Sequence, residues 1–185
     1  MTEDVYRAHA NPATIPNWRK ALNFAGFQIG WFACILGAAH GYSWAGPTVV
    51  VGFFAAHLLL AADRRREFRV ALVSVLFGIL FDSAFAATGL LVYAGSLVSW
   101  LSPPWLVAMW VNFAITLRSS MSWLLGRPLL AAVAGAVFGP LAYLAGERLG
   151  AVDFSSPPLV GIVALAVCWG IAVPLLMRVA EGGKR

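Results

Sequence analysis

Long apolar runs alternate with short polar joints along the chain, and the runs are the first thing to explain. Six follow one another, over residues 22–39, 45–62, 70–93, 104–125, 129–149 and 157–177. A helix needs roughly 20 residues at ~1.5 Å each to cross a bilayer, and the runs are of that order. The joints carry turn chemistry: residues 41–46, Ser102-Pro103-Pro104, Gly126-Arg127-Pro128 and residues 155–158. Residues 93–102, with Trp100, are expected to lie flat at the interface.

The third run holds one acid near its middle, Asp82. At 100° per residue, Ala71, Ser74, Gly78, Asp82, Phe85 and Gly89 share an arc of roughly 80°. Leu72, Leu76, Ile79, Leu80, Leu90 and Leu91 lie outside it. The small-residue face therefore turns toward other helices and the leucines toward lipid. The rest of the chain is expected to be organised around this segment.

Composition makes lipid the solvent. The 185 residues are 61% hydrophobic and 11% charged, against about 25% charged in soluble domains. The length allows one domain: a bundle over 21–178 between an N-terminal segment (1–20) and a tail (179–185). The net charge of +5 would suggest nucleic acid in a soluble protein. Here the basic residues sit at segment ends, which marks topology, and no nucleic-acid partner is expected. With six crossings, twelve of the thirteen Lys and Arg fall on one side and only Arg148 on the other. The positive-inside rule then makes both termini cytoplasmic. The expected fold class is all-α, an integral membrane bundle of six transmembrane helices. The N-terminus lacks a small-residue cleavage site, so the first apolar run is read as an uncleaved insertion signal. Cys34 and Cys168 fall inside apolar runs and read as packing residues.

Aromatic residues suggest depth. Trp18 and Trp123 are expected at the inner interface, and Tyr42, Trp44, Tyr93, Trp100 and Trp105 at the outer one. Trp31, Trp110 and Trp169 lie deeper, between helices. Small residues form stripes: Ala131, Gly135, Gly139, Ala142 and Gly146 in the fifth run, and Asn23, Gly26, Gly30, Ala33, Gly37 and Gly41 in the first. Such stripes let backbones approach. They serve either packing within the bundle or a face for a partner protein or a second copy. Pro140 and Pro174 fall inside runs and are expected to kink their helices or free a carbonyl.

Three motifs, NFAGFQIGWF (23–32), MWVNFAITLRSSMSWL (109–124) and GAVFGPLAYLAGERLGA (135–151), carry a resemblance. They resemble an uncharacterised family of small bacterial inner-membrane proteins, defined as a domain of unknown function. The resemblance implies a Gram-negative inner (cytoplasmic) membrane, multi-pass, and suggests gene neighbourhoods of membrane-lipid or stress-response proteins. It brings no catalytic residues.

Five polar residues are candidates to line a ligand site. Asp82 is an acid at membrane depth, functional by default, or else a bundle lock hydrogen-bonded to Asn112 or a backbone carbonyl. Asn112 lies somewhat nearer the outer surface, so the two could meet; an interhelix hydrogen bond is its plainer role. Arg118 either snorkels to lipid phosphates or turns inward to hold an anion or a lipid headgroup. His57 reads as a packing histidine, with Gln28 at similar depth as a partner. His40, Glu147, Arg148 and Asp153 gather near the outer surface, as a lid or as solvated loop charges.

No HExxH, GxSxG, P-loop or GxGxxG occurs, and three scattered histidines cannot hold a di-iron desaturase centre. A Ser–His pair drawing on Ser74, Ser119 or Ser120 stays open, with nothing to single one out. No catalytic, cofactor or metal residue is assigned, and the balance is against an enzyme. The leading expectation is binding or translocation of a small or lipid-like solute, lined by Asp82 and Asn112. In size and topology the chain is similar to the substrate-capture subunits of energy-coupling-factor transporters. The alternatives are a membrane-embedded enzyme or accessory factor of lipid modification, using Arg118 and Asp82, and a scaffold subunit of a membrane complex. Membrane lipids are the expected partners.

Overall fold

The computed structural model describes residues 15–155 and 157–182. The outer parts of the expected terminal segments, residues 1–14 and 183–185, lie outside the described residues. Among the described residues six α-helices follow in order: α1 (Asn17–Ala39), α2 (Ala45–Leu60), α3 (Arg64–Ala87), α4 (Pro104–Leu117), α5 (Pro128–Arg148) and α6 (Pro158–Glu181). Helices α1, α3, α5 and α6 are long and apolar enough to cross a membrane. Helices α2 and α4, with 16 and 14 residues, are shorter. The protein is membrane-embedded and mostly helical.

Two expected helices end early, and each ending has a local cause. The third run was expected to stay helical to residue 93. Instead Gly89 adopts φ +70°, which a side chain disfavours, and α3 stops at Ala87. Thr88 Oγ1 seals the end on the Ala84 carbonyl at 2.8 Å. The chain then folds back as a strand, β1 (Leu91–Tyr93), paired antiparallel with β2 (Val152–Phe154). Leu91, expected against lipid, is buried there, and so are Tyr93 and Trp105, expected at the interface.

The fourth run was expected to be helical to residue 125. Asn23 of α1 intervenes: its Nδ2 donates to the Ile115 carbonyl at 3.0 Å and its Oδ1 accepts from the Ser120 hydroxyl at 2.7 Å. These bonds satisfy the end of α4 and help turn the chain, so that only a short 3-10 helix (Ser122–Leu124) follows.

The ends of the helices sort into two sets. Asn23 with Ser120, His57 with Glu67, and the loop at Gly126 with Glu181 mark one end of the bundle. The β1–β2 ladder marks the other, hereafter the strand end. Helix α4 lies at the centre, packed against α1, α2 and α3, with nine of its fourteen residues buried. That hub position explains how so short a helix is kept from lipid. The acid-bearing segment is thus not the pivot of the fold, although its faces are as periodicity indicates: Ala71, Ser74, Gly78, Asp82 and Phe85 are buried while Leu72, Leu76 and Leu80 are exposed.

Candidate functional site: an aromatic groove braced by Asp82

Helices α1 and α5 approach each other at the strand end, where a Cβ added at Gly146 would lie 3.4 Å from Ile35. Elsewhere a groove of about 590 Å³ separates them. Phe24, Phe27, Gln28, Trp31 and Ile35 form one wall, and Ala134, Phe138, Leu141 and Ala142 the other. Met109 and Phe113 of α4 and Trp169 of α6 make the floor, and the buried Trp105, Trp110 and Tyr143 lie directly beneath it. Phe24 and Phe138, on opposite walls, are more than half exposed. Among the described residues, no Asp, Glu, Lys, Arg or His lines the groove.

Glycines make room for the floor. The Trp110 and Trp169 indoles stack with centroids 4.6 Å apart and planes 10° from parallel. Phe113 meets Trp169 edge-on at 5.3 Å. A Cβ at Gly78 of α3 would overlap the Trp110 ring, and one at Gly139 of α5 the Trp169 ring, while one at Gly135 would overlap the Trp169 backbone carbonyl. The indole pair is therefore held between Gly78 and Gly139, and Gly135 lets the backbones of α5 and α6 approach.

Behind this floor sits Asp82, wholly buried. Trp110 Nε1 donates to its Oδ2 at 2.7 Å. Tyr143 donates to Oδ1, and Tyr93 donates to the same oxygen at 3.4 Å. One carboxyl of α3 thus collects donors from α4, α5 and β1. Three donors answer the cost of burying so polar a group. Two of them, Trp110 and Tyr143, lie directly beneath the groove floor. Asp82 is a positioning residue for that floor and does not line it.

A second polar cluster lies at the opposite end from the strands. Glu67 of α3 is buried between Arg118, whose Nη1 donates to Oε1 at 2.5 Å, and His57, whose Nε2 lies 3.1 Å from Oε2. Arg118 Nε is buried without a partner. Arg118 is therefore locked inward by an acid. Glu67 escaped notice in the sequence because it is embedded in a run of arginines, RRREFR, that reads as a solvated helix start.

The expected site residues are dispersed by this geometry. Asn112 does not bond Asp82; its Nδ2 donates to the Phe27 carbonyl at 2.9 Å and ties α4 to α1. Gly30 is what permits that approach, since a Cβ there would lie 2.7 Å from the amide. His57 pairs with Glu67 and not with Gln28. Of the five candidates, only Gln28 lines the groove. Among the packing glycines, Gly37 seats the Tyr42 carbonyl, Gly26 faces Phe53 loosely and Gly146 faces Val152. Pro140 and Pro174 are accommodated inside α5 and α6, which continue past them.

The family model described as a protein of unknown function, DUF2878, matches residues 20–175. The chain belongs to the DUF2878 family. Every groove residue and every donor to Asp82 falls within the DUF2878 match. No curated protein and no solved structure matches the chain.

Proposed function

We propose that the protein binds a lipid-like solute, taken sideways from the bilayer into the groove between α1 and α5. The observation that carries this reading is the groove itself: about 590 Å³, floored by stacked indoles, free of charged residues among the described ones and rimmed by exposed phenylalanines. Sites for small apolar ligands have this size and lining, with a few polar groups fixing orientation. Tryptophans give rigid contact area, and those of this floor are held in place by Asp82 and by glycine seats.

The accompanying topology is six crossings with both termini cytoplasmic. It is supported by the alternation of helix ends and by the clustering of basic residues at one end. Helices α2 and α4 would span about 24 and 21 Å, short of a ~30 Å core. The burial of α4 within the bundle supports its crossing as an inner helix. Cysteines placed at Trp18 and Gly182 in a chain freed of Cys34 and Cys168 should react with an impermeant maleimide from the same side of the membrane.

Photocrosslinking tests the groove. A long-chain alcohol bearing a diazirine is added to vesicles containing the protein, and labelled peptides are mapped. Label should concentrate on residues 24–35 and 134–143. Equal label on the outward leucines of α3, Leu72 and Leu76, would mean ordinary lipid contact and no site.

A further inference from the structure

We propose that the groove is selective for a neutral, single-chain lipid carrying one hydroxyl or carbonyl group, which Gln28 binds at mid-depth. The inference rests on the groove being a lipid site and adds which lipid it takes.

Charge comes first. A charged headgroup inside the groove would meet no opposite charge among the lining residues, and at membrane depth an unpaired charge is costly. The nearest internal acid, Asp82, is sealed behind Trp110 and Tyr143 with its oxygens already occupied. The groove thus complements a ligand without charge.

Polarity then gives the headgroup a position. Several polar atoms around the groove are committed: Tyr143 and Trp110 to Asp82, Trp105 Nε1 to the Ala94 carbonyl, Thr116 Oγ1 to the Phe113 carbonyl, and Ser120 Oγ to Asn23. The Trp31 and Trp123 indoles can only donate. Gln28 differs. Its amide has no hydrogen bond among the described residues, and it is the groove side chain that offers both a donor and an acceptor without an internal partner. It is the twelfth residue of the 23-residue α1, about 16 Å along a helix about 34 Å long. An amide at that depth facing apolar surface gains from any group able to bond it. A hydroxyl or a carbonyl can do so, whereas an ester-linked phosphate would bring its charge along. Volume limits the rest: about 590 Å³ suits a ligand of one chain or one small ring system.

The test uses tryptophan fluorescence, because Trp31, Trp123 and Trp169 line the groove with part of each side chain exposed. The full chain is reconstituted in phosphatidylcholine vesicles and titrated with a dibrominated long-chain alcohol, or with the phosphate ester of the same alcohol. Bromine quenches on contact. The alcohol should quench the wild type at a mole fraction about five-fold lower than it needs in Gln28→Leu, the effect of one net hydrogen bond. The phosphate ester should quench both proteins alike and more weakly than the alcohol. Ala142→Phe, which fills the groove from its wall, should leave only the quenching that exposed tryptophans show. If Ala142→Phe relieves quenching but alcohol and ester act equally and Gln28→Leu changes nothing, the headgroup assignment is overturned and the groove survives. If Ala142→Phe leaves quenching unchanged, the groove reading fails and this inference with it.

Discussion

Trp110 Nε1 donates to the Asp82 carboxyl at 2.7 Å, and the same indole lies stacked at 4.6 Å on Trp169 in the floor of the groove. A group wholly inside the bundle thereby fixes the buried indole on which the partly exposed Trp169 ring rests. The indole nitrogen can only donate, so an oxygen must face it. The two tyrosine hydroxyls on the other carboxyl oxygen can either donate or accept.

That asymmetry orders the Asp82 variants. Asp82→Asn can keep its oxygen on Trp110 and turn its amide toward the tyrosines, which then accept; its cost should stay below about 1.5 kcal/mol. Asp82→Ala leaves three buried donors unanswered and should cost upward of about 3 kcal/mol. Tyr143→Phe should cost more than Tyr93→Phe, whose bond is the long one at 3.4 Å. Denaturant titration in mixed micelles measures the series. An Asn variant as damaged as the Ala variant would show that Asp82 is needed for its charge and not for its geometry.

The Glu67–Arg118 pair gives a second test. Glu67→Leu strands the Arg118 guanidinium, buried with its Nε already unpartnered, and should lose about 3–5 kcal/mol. Removing both charges, as Glu67→Leu with Arg118→Met, should restore most of that stability. If the double variant unfolds as easily as the single, the cluster contributes more than a mutual neutralisation of buried charge.

Glycine substitutions separate seats from spacers. Gly78→Ala and Gly139→Ala push a methyl into Trp110 or Trp169 and should each cost about 1–3 kcal/mol by overpacking. Gly52→Ala, on the open face of α2 with nothing within 4 Å, should leave stability unchanged or slightly raised. The two seat variants should also weaken photolabelling of the groove. Equal tolerance at all three positions would contradict the glycine-seated indole pair.

What the sequence reveals and conceals follows from range. The buried face of α3 is legible because a 3.6-residue period writes it into Ala71, Ser74, Gly78 and Asp82. The six helices are legible from hydropathy, and the need of Asp82 for partners from its depth. The partners themselves are not: Tyr93, Trp110 and Tyr143 lie 11, 28 and 61 positions away, and no local pattern joins them. The dipeptide Thr88-Gly89 was a helix stop that an apolar context disguised, and Asn23 caps a helix 92 positions downstream. Arg118 cannot be seen to face inward until Glu67 is found beside it. The groove is harder still to read, since it exists only where α1 and α5 part. Gln28 gave one usable signal, a polar amide standing off the glycine stripe of its own helix.

Native mass spectrometry from a gentle detergent tests the central claim most directly, comparing the wild type with Ala142→Phe and with Leu76→Ala on the outward face of α3. The wild type and Leu76→Ala should each carry one bound neutral lipid that survives activation, and Ala142→Phe should fly bare. A wild type that carries no adduct, or an Ala142→Phe protein that retains the same one, would contradict the groove as the binding site.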